Sequence, residues 1–160
     1  MGSIFSTKYK KLDPRYLFTA SSDGSIKQFN IETHQEVFHY KKIDKNCIIA
    51  IALTEDSKYF FTASRDGSLR QFNIHRHKQV HRYKGIHGGS ITAIALTIDS
   101  EYLFTASSDG SVKQFNIETH KEVFHYKGIH GGSITTIALT SDGKYFFTAS
   151  YDRSVKQFNI

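Results

Sequence analysis

Apolar and polar positions alternate in short segments along the chain, and the alternation repeats. In the first unit, residues 16–21 are rich in aromatic side chains and end at a Ser-Asp-Gly turn, where glycine accepts the positive φ of a tight hairpin. Residues 25–31 form the returning strand, and the more polar residues 36–41 have the character of a sheet-edge strand. The small, apolar Ile91–Leu96 segment of a later unit suits a crowded inner strand. The pattern predicts an all-β fold.

The unit is 43 residues long, and each copy carries the same turn aspartate, at Asp23, Asp66, Asp109 and Asp152. Residues 16–58 and 102–144 match at 32 of 43 positions. A strand-rich repeat of this length is typical of a β-propeller blade, which buries its apolar faces only when neighbouring blades cover them. We divide the chain into a degenerate N-terminal strand segment (1–15), repeat 1 (16–58), repeat 2 (59–101), repeat 3 (102–144) and a truncated repeat 4 (145–160).

Composition narrows the location and the class of partner. No apolar run is long enough to cross a membrane, and the N-terminus lacks the apolar core of a secretory signal, so no membrane partner is expected. The single cysteine, Cys47, excludes an internal disulfide and favours a cytoplasmic location. The net charge of +6 is spread through the units, as at Lys27, Arg70, Lys113 and Lys156, which indicates a solvated face and makes nucleic acid an unlikely partner.

The recurring motifs resemble the WD-repeat family over nearly the whole chain. The matching residues are 87–91, Ile94, Leu96, Asp99 and 105–116, and similar runs recur at 130–159 and, without the histidine, at 48–73. The resemblance implies blades of four antiparallel strands, with the inner strand first and the outermost strand of one repeat completing the preceding blade. The Trp-Asp dipeptide of the family is replaced throughout, by Phe29-Asn30, Phe72-Asn73, Phe115-Asn116 and Phe158-Asn159.

The resemblance also implies a buried hydrogen-bond network in each blade. In the family the network runs from the Trp indole through a Ser or Thr hydroxyl to His and then to the turn Asp, but phenylalanine has no N–H to donate. Three members are expected in each of two blades, namely His87, Thr105 and Asp109, and His130, Thr148 and Asp152. In the second unit Asp44 takes the histidine position and faces Asp66, so carboxylate repulsion is expected to move that loop outward into solvent.

Variable positions at the top face of the propeller are the partner-binding candidates that the resemblance implies. The residue before each turn aspartate is Ser22, Arg65, Ser108 or Tyr151. Further candidates flank the first apolar residue of the inner strand, where the pairs are Cys47 with Ile49, Ser90 with Thr92, and Ser133 with Thr135. Only Arg65 and Tyr151 are side chains of the type that dominates interface energies, and the others fit channel-rim polarity equally well.

Nine histidines do not form a metal or catalytic pattern. His34, His77 and His120 occupy one turn position in three blades, far apart around the rim, and we expect them to be solvated. The Ser, His and Asp residues recur with the repeat, whereas a catalytic triad needs one site with distinct roles, so neither an enzyme nor a cofactor is expected. The recurrent Gln28, Gln71, Gln114 and Gln157 must either bond across blades or lie at wet blade edges.

The sequence therefore predicts a non-catalytic propeller scaffold of about four blades that binds a protein or peptide. The alternatives are a self-assembling building block and a binder of acidic or phosphorylated ligands, the latter because of the +6 charge and Arg65. Phe18, Phe61, Phe104 and Phe147 share one repeat position and are expected to supply the apolar area between blades. Four blades of this period leave open interblade faces. We predict that a second chain completes a homodimeric eight-bladed ring, while a closed four-bladed ring and a piece of a larger propeller stay open as alternatives.

Overall fold

The computed structural model describes residues 16–160, which form fourteen β-strands and, within that range, no helix. The strands are β1 (Tyr16–Ala20), β2 (Ile26–Asn30), β3 (Glu36–Tyr40), β4 (Ile48–Leu53), β5 (Tyr59–Ser64), β6 (Leu69–Asn73), β7 (Lys78–Tyr83), β8 (Ile91–Leu96), β9 (Tyr102–Ser107), β10 (Val112–Asn116), β11 (Glu122–Tyr126), β12 (Ile134–Leu139), β13 (Tyr145–Ser150) and β14 (Val155–Asn159). No helix of the described part is long and apolar enough to span a bilayer.

Each sheet is a simple antiparallel meander, which we call a blade. Blade 1 is β1-β2-β3, blade 2 is β4-β5-β6-β7, blade 3 is β8-β9-β10-β11 and blade 4 is β12-β13-β14. The inner strands β4, β8 and β12 lie side by side, so that the blades follow one another around an axis. The predicted all-β propeller segment of about four blades is confirmed. Two of the four sheets have three described strands rather than four, and the predicted N-terminal strand segment, residues 1–15, lies outside the described residues.

The strand register sorts side chains onto two faces of each blade. Directly paired residues of antiparallel strands share a face, and Phe61 pairs with Gln71 while Phe60 pairs with Phe72. Phe61 packs in one cluster with Leu103 of blade 3, whereas Phe60 packs with residues of blade 1. We call the face toward the following blade the forward face and the face toward the preceding blade the rear face.

Aromatic side chains fill the junctions between blades. The Phe18 and Phe60 ring centroids are 5.1 Å apart at the first junction, and those of Phe104 and Phe146 are 5.3 Å apart at the third. Phe61 and Leu103 are both fully buried in the cluster at the second junction. Covering a large apolar side chain stabilises by roughly 2 kcal/mol, so these rows hold the arc of blades together. The sequence expectation that this phenylalanine position supplies the interblade apolar area is confirmed at all three junctions.

The turn glycines are required by contact with the next blade. Gly110 has a φ of +80°, and a Cβ built on it would lie 2.4 Å from the carbonyl oxygen of His130. The His130 backbone N–H in turn donates to the carbonyl of Gly110, 3.2 Å away. The turn after the second strand of a blade is therefore pressed against the loop that leads into the following blade.

Candidate functional site

The turns and loops at which partner contacts are predicted lie together at one end of the sheets. The backbone N–H of Arg65 donates to the carbonyl of Cys47 at 3.0 Å, and Ser108 makes the same bond to Ser90 at 2.9 Å. In blades 2, 3 and 4 this bond ties the turn before the third strand to the loop entering the inner strand. We call this end, formed by turns 21–25, 64–68, 107–111 and 150–154 and by loops 41–47, 84–90 and 127–133, the top face.

The four predicted turn residues project from the top face into solvent. Ser22, Arg65, Ser108 and Tyr151 are all exposed, and Tyr151 reaches 78 % exposure. An exposed tyrosine and an exposed arginine combine apolar area with hydrogen-bonding or charged groups, the chemistry that is enriched at interface hot spots. The two serines offer only small polar contacts.

The predicted inner-strand positions are β-bulges. The register shifts between Ile48 and Ala50, so that Ile49 is the extra residue, and the same shift isolates Thr92 and Thr135. A bulge leaves its extra residue out of the ladder and re-aims the side chain. Ile49 is 39 % exposed at this position.

The hydroxyls beside these bulges are already engaged within the chain. Thr92 donates to the carbonyl of Ala106 at 3.2 Å, and Thr135 makes the equivalent bond to Ala149 at 3.1 Å. The Ser90 hydroxyl donates across the junction to the carbonyl of Arg65 at 2.6 Å. The Ser133 hydroxyl donates only to the adjacent Ile134 carbonyl, at 3.4 Å. These side chains stabilise the rim, which leaves Arg65, Tyr151 and Ile49 as the side chains best placed to contact a partner.

Blade 3 contains a buried polar centre built around His87. The His87 side chain has no exposed surface, its Nε2 lies 2.8 Å from the Thr105 hydroxyl, and its Nδ1 lies 3.0 Å from the Ser111 hydroxyl. The Asp109 carboxylate lies 3.6 Å from Nδ1, and it accepts the Ser111 hydroxyl at 2.6 Å and the backbone N–H of Gly88 at 2.9 Å. The three residues singled out from the sequence converge here, with Ser111 placed between histidine and aspartate.

Burial and hydrogen bonding set the charge state of this centre. Burial lowers the pKa of His87, and the nearby Asp109 carboxylate only partly opposes that effect. Burial raises the pKa of Asp109, but the hydrogen bonds from Ser111 and Gly88 and the proximity of His87 outweigh it and lower the value to about 2. At neutral pH the histidine is therefore a neutral hydrogen-bonding link and the aspartate is ionised.

Blade 4 repeats the arrangement with a closer contact between histidine and aspartate. His130 Nε2 lies 2.8 Å from the Thr148 hydroxyl, and Nδ1 lies 3.0 Å from the Asp152 carboxylate. The Ser154 hydroxyl donates to Asp152 at 2.6 Å, and this bond is the leading cause of the lowered pKa of that carboxyl. Sequence reasoning missed the serine two residues after the turn aspartate. Its recurrence in every unit, at Ser25, Ser68, Ser111 and Ser154, was the available signal.

The expectation for blade 2 was wrong, because the loop carrying Asp44 does not move into solvent. Asp44 is 3 % exposed and forms an ion pair with Arg70, which is 6 % exposed. The Ser68 hydroxyl also donates to the Asp44 carboxylate at 3.1 Å. Asp66 instead accepts the side-chain amide of Asn46 at 3.2 Å. The two carboxylates therefore have separate partners, and Arg70 is not part of a solvated face.

The turn histidines also differ from expectation. His34 is exposed, but the His77 ring stacks on Phe38 at 4.0 Å and its Nδ1 lies 3.1 Å from the Tyr40 hydroxyl, both residues of the preceding blade. His120 repeats the contact with Tyr83, 3.2 Å away. Burial lowers the pKa of His77 and His120. Two of the three histidines are thus junction residues rather than solvated turn residues.

The asparagine that replaces the family's aspartate closes the next turn. The side-chain Oδ1 of Asn30 accepts the backbone N–H groups of Glu32 and Thr33, each at 2.9 Å, and Oδ1 of Asn73 accepts that of Arg76 at 2.8 Å. An asparagine side chain supplies the acceptor that such a turn needs without a charge. Sequence reasoning treated Phe-Asn only as a loss of a donor and missed this role.

The polar side chains of these centres bond to other groups of the blade framework. Within residues 16–160, no three His, Cys, Asp or Glu side chains converge in a way that could hold a metal ion. Cys47 is a free, half-buried thiol. The Ser, His and Asp residues occupy the same repeat positions in blades 3 and 4, and in each blade they bond among themselves. The two blades therefore contain two copies of one structural centre.

Comparison with known families agrees with this architecture. A family profile described as "WD domain, G-beta repeat" matches three stretches, residues 37–73, 77–116 and 121–159. Together they cover well over half of the chain. A comparison with curated proteins gives no match.

Proposed function

The chain belongs to the WD-repeat family, and we therefore propose that it is a non-catalytic scaffold that binds a protein or peptide through its top face. WD repeats generally mediate protein–protein interactions. The observation that supports this role is the contrast between a repeated strand framework and the exposed residue before each turn aspartate, which is serine in blades 1 and 3, arginine in blade 2 and tyrosine in blade 4. Arg65 and Tyr151 are the expected anchors. A cytoplasmic location is part of the proposal, since the one cysteine is a free thiol.

Quantitative affinity capture with the full chain tests the scaffold role. We expect specific partner proteins to be lost on Arg65→Ala and on Tyr151→Ala, since each substitution removes an exposed anchor without touching the framework. Arg82→Ala removes another exposed arginine, on the outer strand β7, and should leave capture unchanged. Equal loss with Arg82→Ala would show that charge, not the top face, carries the binding.

Self-assembly is a second candidate, supported by the two outermost faces of the arc. Leu17 and Ile31 of blade 1 are 53 % and 48 % exposed, whereas Leu103 and Ile117 at the same positions of blade 3 are 0 % and 7 % exposed. The residues are identical in the two blades, but no described blade covers the rear face of blade 1. At the forward face of blade 4, Val155 is 70 % exposed, whereas Val112 of blade 3 is fully buried.

A second copy would cover both faces with contacts of a kind that the chain already makes. The forward face of blade 4 would pack on the rear face of blade 1 of the partner, as Phe61 packs on Leu103 within the chain. Two such head-to-tail contacts close after a rotation of 180°, which gives a homodimeric ring of about eight blades. The binding of acidic or phosphorylated ligands through Arg65 stays a weaker alternative, because the residue before the turn aspartate is basic in only one of the four units.

Light scattering at micromolar concentration tests the dimer. We expect a particle of twice the 18.2 kDa chain mass, reduced to one chain mass by Leu17→Asp or Val155→Asp. Ile98→Asp is the matched control, since Ile98 is 61 % exposed but lies on neither end face. A monodisperse particle of 18.2 kDa for the unsubstituted chain would exclude self-assembly.

A further inference from the structure

A groove of about 520 Å³ opens between blades 2 and 3 at the end opposite the top face. Three carboxylates lie along it, those of Asp99, Glu101 and Glu118, all on loops of blade 3. We call it the bottom groove. A concentration of acidic side chains is notable in a chain with a formal charge of +6, and it points to a ligand of positive charge.

The acidic character belongs to this junction and not to the repeat. The position of Glu101 is held by Lys58 in blade 2 and by Lys144 in blade 4, and the position of Glu118 is held by His75 in blade 2. The corresponding site between blades 1 and 2 therefore has a lysine and a histidine where the bottom groove has two glutamates. Because the framework is almost identical in the repeats, a charge reversal at one junction changes what that junction can bind without changing its shape.

A buried amide gives an independent indication of a missing partner. Gln71 lines the bottom groove and is 1 % exposed, and its Oε1 has no hydrogen-bond partner among the described residues. Buried carbonyl oxygens are almost always paired. Gln28, its counterpart at the first junction, has the same unpaired oxygen, but there the neighbouring repeat positions carry lysine and histidine. Among the three junctions within residues 16–160, the second alone combines an unpaired acceptor with a set of carboxylates.

A lysine ammonium of the chain itself lies near an aromatic ring in the lining of the bottom groove. The Lys58 Nζ lies 5.0 Å from the centroid of the Tyr59 ring, and both residues line the groove. Burial lowers the pKa of His120, the other basic residue of the lining, so that it is neutral at pH 7 and does not offset the carboxylates. The groove therefore combines an aromatic face, a net negative charge and an unpaired amide acceptor.

We propose that the bottom groove binds the guanidinium group of an arginine side chain from a partner protein. Guanidinium presents five N–H donors in a plane, enough for two carboxylates and an amide carbonyl together, and it stacks on aromatic rings. A lysine ammonium has only three donors around a point charge and suits this set of acceptors less well. The groove lies on the opposite end of the blades from the top face, so the proposal stands independently of the top-face scaffold role.

Titration of the isotope-labelled full chain, followed by nuclear magnetic resonance, tests the proposal. The probe is the peptide acetyl-Gly-Gly-Arg-Gly-Gly-amide, and the comparison peptides carry Gln or Lys in place of Arg. We expect the arginine peptide to shift the side-chain amide resonances of Gln71 and the backbone resonances around Glu118, and to bind at least about fivefold more tightly than either comparison peptide. Equal binding of the three peptides, or shifts confined to the top face, would overturn the assignment.

Sibling repeats supply substitutions that the fold already tolerates. Glu101→Lys and Glu118→His place the blade 2 residues in blade 3, and each is expected to weaken binding of the arginine peptide about tenfold. Glu32→His makes the same change as Glu118→His at the exposed equivalent position of blade 1, and it should change the affinity less than about twofold. If Glu32→His weakened binding as much as Glu118→His, the attraction would be a general charge effect and the groove would not be the site.

Discussion

Blade 2 has a buried ion pair where blade 3 has a hydrogen-bonded histidine, although the two blades share the same strands and turns. In blade 3, His87 bonds to the Thr105 hydroxyl at 2.8 Å, and Lys113 points outward to Glu122 at 2.8 Å. In blade 2, Asp44 replaces the histidine and Arg70 pairs with it inside the blade. The outer-strand position of Glu122 is a glutamine in blade 2, Gln79, so the carboxylate is found in the loop instead.

The difference shows that the repeat conserves the placement of polar groups more strictly than their chemistry. Both arrangements bury a polar centre, but in blade 2 the ion pair leaves one buried hydroxyl without a hydrogen-bond partner among the described residues. Thr62 is 1 % exposed and its hydroxyl has no partner among the described residues, whereas Thr105 bonds to His87. Blade 2 therefore depends on charge pairing and carries one unsatisfied hydroxyl, while the described bonds of blade 3 form a continuous neutral network beside one ionised aspartate.

Breaking the ion pair is expected to have the largest effect. Arg70→Leu leaves Asp44 buried without its cation, and removal of one partner of a buried pair costs about 3–5 kcal/mol. Lys113→Leu is the matched control, since its partner Glu122 is 40 % exposed at the side chain and such a pair contributes about 1 kcal/mol or less. Urea unfolding measures both. Equal losses would mean that the buried pair is no more important than the surface pair.

Replacing the ion pair of blade 2 by the residues of blade 3 tests whether the effects of positions 44 and 70 on stability depend on each other. Asp44→His alone places an imidazole beside a buried guanidinium, and Arg70→Lys alone weakens the pair. Together they should recover part of the lost stability, because the new histidine can bond to Thr62. We expect a coupling free energy of about 1–3 kcal/mol in a double-mutant cycle. Additive effects would show that each position acts independently of the other.

Removal of the threonine hydroxyl sharpens the comparison further. Thr105→Val leaves His87 Nε2 without its partner and should cost about 1–2 kcal/mol. Thr62→Val replaces a buried hydroxyl that has no partner, so we expect no loss of stability or a gain of up to about 1 kcal/mol. Thermal and urea denaturation give the two values. A comparable loss with Thr62→Val would indicate that its hydroxyl is satisfied in solution.

The pH dependence of blade 3 should be the smallest effect. Burial lowers the pKa of His87 below its ordinary value of about 6.5, so below that pH the folded state binds fewer protons than the unfolded state. The associated stability is fully present above about pH 6.5 and is lost progressively as the pH falls from that value through the lowered pKa of the folded state. The destabilisation caused by His87→Gln should therefore be smaller at pH 5.5 than at pH 7.5. The difference between the unsubstituted chain and Thr62→Val involves no histidine and should stay constant over this range.

Local features of the fold followed from the sequence because local chemistry produces them. The alternation of side chains predicted the strands, and the Ser-Asp-Gly turns predicted the hairpins, since a period of two and a residue tolerant of positive φ are visible within a few residues. The convergence of His87, Thr105 and Asp109 followed from resemblance to a known repeat. The roles of the top-face residues stay a prediction.

The misjudged sites depend on contacts between distant parts of the chain. Arg70 reaches Asp44 across 26 positions, and Tyr40 reaches His77 across 37. The sequence did contain one signal for the ion pair, because blade 2 differs from its siblings at three positions together, Asp44, Arg70 and Gln79. Considered singly, Asp44 indicated repulsion from the turn aspartate. Considered with Arg70 it indicates a pair, but only the register that brings both side chains into the blade interior shows it.

The sequence by itself determined the 43-residue unit, its strands and turns, and the aromatic rows that join the blades. Tertiary structure alone decided which copy of a repeated residue is buried and which group each charged side chain pairs with. Leu17 and Leu103 are the same residue at the same repeat position, yet they are 53 % and 0 % exposed. The reason is that strand and turn preferences are properties of neighbouring residues in the chain, whereas burial and charge pairing are properties of whatever surface packs against them.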